Sequence, residues 1–180
     1  MHTVNAVKPD CKYSIMNAVY NMIERDVLPP VILCIGSPDV TGDSLGPLTG
    51  HLLTHKYNIR TFVYGTISRP VHCGNIVSVY NFIRAKHRSK ILAVDAALGY
   101  SLNAINIFKG GIKPAAALDK DFPLLGDYSI TANVNRCAND NYASLWWADG
   151  NSVAAMADNI AFAISDAVML RKIFCSRKAV

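Results

Sequence analysis

Apolar residues at Ile15, Val19, Met22 and Ile23 recur at helical spacing, and the pair Pro29-Pro30 closes that segment before the compact run Val31-Ile32-Leu33-Cys34-Ile35. The pattern predicts a helix followed by a buried strand. The alternation then repeats: a polar loop from Gly36 to Gly42, helical spacing at Leu45, Leu48 and Leu52, and a strand-like Thr61-Phe62-Val63-Tyr64. A further loop reaches Gly74, helical spacing returns at Ile76, Val79 and Ile83, and Ile91-Leu92-Ala93-Val94 follows as a continuous apolar strand. Continuous apolar strands separated by amphipathic helices imply parallel crossovers, with helices covering both faces of one sheet.

Beyond Asp95 the rhythm changes. Ile105-Asn106-Ile107-Phe108 and Ser129-Ile130-Thr131-Ala132-Asn133-Val134 read as two strands, joined by a loop rich in Gly, Lys and Pro from Gly110 to Asp127. With no helix between them, at least one is expected to run antiparallel at an edge. The chain then ends on a long helix, with Ser152 as its expected N-cap and apolar positions at Val153, Met156, Ala157, Ile160, Ala161, Ile164 and Val168. The fold class read from this is α/β: a three-layer α/β/α sandwich with a mostly parallel sheet and an antiparallel edge. It forms one domain over residues 1–180, with flexible ends expected at 1–10 and 173–180.

Composition supports one core. At 180 residues, 51% hydrophobic and 17% charged, the chain can close one substantial core with little surplus for a second. The formal charge of +5 is scattered, and its one cluster, Arg171, Lys172, Arg177 and Lys178, is expected as a solvated helix end rather than a nucleic-acid arm. The stretch Val153 to Leu170 carries Asp158, Asn159 and Asp166 and falls short of the roughly twenty apolar residues of a membrane span, so no membrane partner is expected. Five dispersed cysteines without a Cys-x-x-Cys pair, and no visible secretory signal, fit a reducing cytoplasm.

In open parallel sheets, ligands bind where loops leave the carboxyl ends of the strands. Those loops carry Asp43 after the first strand, Thr66, His72 and Asn75 after the second, and Asp95 after the third. At a helix start, Asp43 is expected to favour its ionised form, whereas Asp95 follows four apolar residues and burial there raises a carboxyl pKa. Two acids with divergent pKa values suit hydrolysis, one activating water and the other protonating the leaving group. On spacing alone, a helix cap at Asp43 and a turn residue at Asp95 explain the same residues.

Other chemistries have weaker support. The first loop lacks the Gly-Lys-Ser/Thr ending of a P-loop and the Gly-x-Gly-x-x-Gly spacing of a dinucleotide site. His51 and His55 lie one helical turn apart but without the Glu that zinc proteases place after the first His, so they read as surface histidines. Cys73 beside His72 lacks an orienting third group and reads as an idle thiol.

Several segments, taken in order, resemble the YyaC family of sporulation proteins, itself similar to the germination protease of spore-forming bacteria. They are Cys34-Ile35-Gly36 with Thr41-Gly42-Asp43-Ser44-Leu45-Gly46-Pro47; Tyr64-Gly65-Thr66 with Pro70-Val71-His72 and Asn75; Ile91-Leu92-Ala93-Val94-Asp95-Ala96; and Gly126-Asp127 with Ile130-Thr131 and Val134-Asn135. The resemblance implies an aspartic-type endopeptidase with Asp43 and Asp95 catalytic, His72, Asn75 and Thr66 contacting substrate, and a peptide or small spore protein as partner. Hydrogenase maturation endopeptidases are similar in fold and use acids at the same strand ends to bind a substrate's nickel. That likeness implies Asp43, Asp95 and His72 as ligands of a divalent metal, though the aspartate chemistry requires no cofactor. The chain departs from the germination protease in being shorter and in reading Lys113-Pro114-Ala115-Ala116-Ala117-Leu118-Asp119-Lys120 where that family is glycine-rich. The competing expectation is a non-catalytic sporulation protein that keeps the fold and holds a peptide; either form admits a homo-oligomer.

Overall fold

Ile15, Val19, Met22 and Ile23 all lie buried along one side of the first helix, as their spacing predicts. The computed structural model describes residues 1–114 and 123–177, the last three as helical backbone. The run Ala115-Ala116-Ala117 therefore lies outside the described residues, as does Lys178. The elements are β1 (His2–Asn5), α1 (Cys11–Ile23), β2 (Val31–Cys34), α2 (Leu45–His55), β3 (Val63–Tyr64), α3 (Ile76–Lys86), β4 (Ile91–Leu98), β5 (Ala104–Lys109), β6 (Tyr128–Asn135), α4 (Asn141–Trp146) and α5 (Gly150–Arg177).

The strands form one six-stranded sheet in the order β1-β5-β6-β4-β2-β3. The four strands β3, β2, β4 and β6 are parallel, whereas β5 runs antiparallel to both β6 and β1. Alternate side chains of the central strands feed two cores. Ile32, Cys34, Leu92 and Val94 pack with α1, α2 and α5 on one face, while Leu33, Ile35 and Ala93 pack with Ile76 and Ile83 of α3 on the other. This is the expected three-layer sandwich, with its antiparallel strands at one edge.

The differences from expectation have local causes. Residues 1–10, read as a flexible end, include β1, whose backbone pairs with β5 from His2↔Ile107 to Asn5↔Ala104. Ser152 is not the cap of α5: the Asp149 carboxylate accepts from the Ser152 N–H at 3.0 Å and the Ser152 hydroxyl at 2.6 Å, and so takes the cap position. Arg171, expected at a solvated end, is 5% exposed.

On α2 the buried face is Leu45, Gly46, Thr49, Gly50 and Leu53, not the Leu48 and Leu52 stripe. Gly46 and Gly50 have no side chain to hold the helix off, and a Cβ would sit 2.0 Å from the Ile35 carbonyl oxygen at the former and 1.9 Å from that of Gly65 at the latter. The helix therefore rests directly on the ends of β2 and β3. By length and composition Gly150–Phe174 could cross a membrane, but half of its most apolar window is buried in this domain. Its residues Val153, Met156, Ile160 and Ile164 belong to the core beneath α1 and α2.

Candidate active site

Strand β2 stays beside β4 from Val31↔Ile91 to Cys34↔Val94, and then turns away while β4 continues to Leu98 against β6 alone. The connection from β2 leads through α2 to one side of the sheet, and that from β4 leads to β5 on the other side. A crevice opens where neighbouring connections diverge in this way, at the carboxyl ends of the strands.

Gly36 makes the turn at the end of β2, with φ of +139°, a backbone conformation that L side chains rarely adopt. The loop folds back so that the Ser37 N–H donates to Asp43 Oδ2 at 2.7 Å. The Gly42 N–H donates to the Leu145 carbonyl at 2.8 Å, which ties the same loop to α4. No side-chain cap bond is made at the start of α2, so the capping explanation of Asp43 does not hold. Asp95 lies inside β4, opposite Thr131 of β6, and is 8% exposed. Residues opposed in a parallel ladder project to the same face, so Thr131 stands beside Asp95 in the crevice wall.

Asp43, Asp95 and His72 all line this crevice, whose volume is about 860 Å³. His72 Nδ1 accepts the Gly74 N–H at 3.1 Å. Thr66 and Asn75 do not line the crevice. Asn75 accepts the His72 N–H at 2.9 Å and donates to the Pro70 carbonyl at 3.0 Å, so it shapes the loop that carries His72. Thr66 accepts the Arg69 N–H at 3.2 Å within its own turn. The Gly126-Asp127 segment is also structural: Asp127 accepts the Ile91 N–H at 2.8 Å and pairs with Arg84 at 3.0 Å.

Burial raises the Asp43 pKa above the ordinary carboxylate range, against the lowering pull of the Ser37 N–H and of His72. Burial outweighs the helix start, so the expectation that Asp43 is favoured as an anion is corrected. Asp95 is raised further, well above the ordinary range, by burial first and by the Asp43 charge second, with the Ala96 N–H opposing. The influence runs one way because Asp43 ionises first, while a still-protonated Asp95 carries no charge to act on it. Between the two titrations the crevice holds one carboxylate and one carboxylic acid.

Among the described residues no three His, Cys, Asp or Glu side chains come together as a set that could hold a metal ion. Asp43, Asp95 and His72 therefore do not fit a three-ligand metal site. His51 and His55 stack with ring centroids 4.2 Å apart, and His55 Nδ1 bonds within its own helix turn. No disulfide joins the four cysteines whose side chains are described.

Sequence reasoning missed the outer wall, where Tyr142, Leu145 and Trp146 of α4 face Leu98 and Phe108. A sequence sign of α4 existed in Asp140, whose carboxylate caps it by accepting the Ala143 N–H at 2.9 Å. Nothing in the chain order tied that helix to loops a hundred residues earlier.

Fold and crevice together define an α/β sandwich with two acids, part-buried Asp43 and buried Asp95, in a cleft at the divergence point of its sheet. The chain belongs to the family described as Protein of unknown function (DUF1256), whose model matches residues 3–163. It is similar to the Uncharacterized protein YyaC of Bacillus subtilis (strain 168), with 40% identity over 140 residues covering 76% of this chain and 68% of that protein.

Proposed function

We propose that the protein is a peptide-bond hydrolase of spore formation or germination, acting from the cytoplasm on a small spore protein through Asp43 and Asp95. The observation that carries this reading is that part-buried Asp43 and buried Asp95 line one crevice at the strand ends, with Asp95 raised further above the ordinary carboxylate range than Asp43. Ionised Asp43 takes a proton from water as the water oxygen bonds to the scissile carbonyl carbon. Asp95 gives its proton to the leaving nitrogen as the carbon–nitrogen bond breaks, releasing an acid and an amine. His72 stabilises the Asp43 anion, and the apolar wall of Leu98, Phe108 and Trp146 holds the peptide. The resemblance of these loops to the germination protease supports the same roles.

The test is incubation of the purified protein with small acid-soluble spore proteins, with and without a chelator. Discrete fragments that persist in chelator and vanish for Asp43→Asn or Asp95→Asn are expected, with losses of about 10²- to 10⁴-fold. Loss of cleavage on chelation would instead favour a metal-dependent processing reaction. The second reading is a peptide-binding regulator of sporulation, favoured by the open, aromatic-edged crevice. It predicts peptide affinity with no fragments from the parent protein and only modest weakening in the Asn variants.

A further inference from the structure

A second cavity, of about 980 Å³, lies away from the crevice between the α2–β3 connection and the carboxyl-terminal half of α5. Its walls are mainly apolar, including Tyr57, Ile59 and Met169, and among the described residues its charged lining is cationic: Arg60, Arg171 and Lys172.

Arg171 is the unusual member. It is 5% exposed, and its guanidinium donates through Nη2 to the Asp26 backbone carbonyl, while Nε has no hydrogen-bond partner. Among the described residues no carboxylate lies within ion-pair distance of it. The side chain of Asp26, whose backbone carbonyl Arg171 binds, is committed elsewhere, to Lys90 at 2.9 Å and to the Tyr128 hydroxyl at 3.0 Å. Buried cations are ordinarily paired, because an uncompensated charge in a low-dielectric interior is costly. Among the described residues this buried guanidinium has no counter-ion, and it stands on the wall of a cavity that also carries Arg60 and Lys172.

We infer that this cavity binds a small amphipathic anion, a phosphate or carboxylate head on an apolar body. The head sits among Arg60, Arg171 and Lys172, where the planar, forked guanidinium groups can each engage two oxygens of such anions. The body lies along Tyr57, Ile59 and Met169. The volume is in the range of small-molecule sites, and the mostly apolar lining with a few convergent polar groups has the same character. A bare inorganic ion would leave that apolar wall unused, and a neutral lipid would leave the Arg171 charge uncompensated. The inference is independent of the chemistry proposed for Asp43 and Asp95.

The full chain is titrated calorimetrically with octyl phosphate below its micelle concentration, and separately with inorganic phosphate and with 1-octanol. Octyl phosphate should bind at least about tenfold more tightly than either half, a difference of about 1.4 kcal/mol, and should weaken as salt rises. The Met169 methyl resonance should shift on binding. Arg60→Ala and Lys172→Ala should each weaken octyl phosphate by about threefold or more and leave 1-octanol unchanged. Arg171→Gln tests the buried charge directly, and if that variant loses its fold the other two variants still decide the matter. Equal binding of 1-octanol or of inorganic phosphate would overturn the inference. So would resonance shifts confined to the crevice, insensitivity to Arg60→Ala, or pelleting with anionic phosphatidylglycerol vesicles in the absence of octyl phosphate binding.

Discussion

Gly36 and Asp43 are in backbone contact: a Cβ on Gly36 would stand 2.0 Å from the Asp43 carbonyl oxygen and 3.2 Å from its Oδ1. The loop after β2 closes on its own first residue, and this closure brings the Asp43 carboxylate to the crevice floor. Replacing Gly36 by Ala adds both that overlap and the strain of φ at +139°. The variant should lose about 2–4 kcal/mol of stability in chemical denaturation, or fold with Asp43 displaced and its function lost.

Asp95→Asn should stabilise the protein at neutral pH. The folded chain holds the Asp95 proton more tightly than the unfolded chain, so the Asp95 contribution to stability is fully present below the ordinary carboxylate pKa of about 3.9 and is lost as pH rises through the higher folded value. Asn keeps the acceptor oxygen but has no proton to lose. The gain should be on the order of 1 kcal/mol near neutrality, about 2–4 °C in Tm, and should disappear in acid. Melting curves for parent and variant across that pH range would check it; a constant difference at every pH would contradict it.

Asp43→Asn should lower the Asp95 pKa, because it removes the second-largest cause that raises it. Burial remains, so Asp95 should still titrate above an ordinary carboxylate. Carboxyl carbon NMR titration of the two proteins measures this shift. If the pair is hydrolytic, the parent activity should also follow a bell-shaped pH profile whose limbs both lie above the ordinary carboxylate range, since both acids are raised.

Gly50→Ala tests the seating of α2. Alanine in a helix interior gains about 1 kcal/mol of propensity over glycine, yet here its Cβ would overlap the Gly65 carbonyl oxygen at 1.9 Å. Net destabilisation of about 2 kcal/mol is expected by denaturant unfolding. Leu53→Ala, at a fully buried position, should cost about 2–4 kcal/mol, and Leu48→Ala, only half-buried, clearly less.

The parallel core was legible because it depends on local pattern. Four-residue apolar runs such as Val31–Cys34 and Ile91–Val94, bounded by turn residues, suit strands covered on both faces, and the helical periods between them supply the cover. That topology puts the loops bearing Asp43, His72 and Asp95 on one rim, so their meeting followed from chain order. Tertiary contacts decided the rest. The face of α2 was misread because periodicity rewards leucines, whereas the closest packing in this fold is made by the glycines at 46 and 50. His2–Asn5 reads as a tail until β5 offers its free edge. The ionisation order of the two aspartates depends on how deeply each is buried and on the hydrogen bond from Ser37, quantities that exist only once the loop has closed. Arg171 looked like one more cation at a helix end, and it became a buried charge only because the turn at Asp26 folds over it. Local pattern can set which residues face a core, but desolvation and charge pairing depend on neighbours distant in sequence.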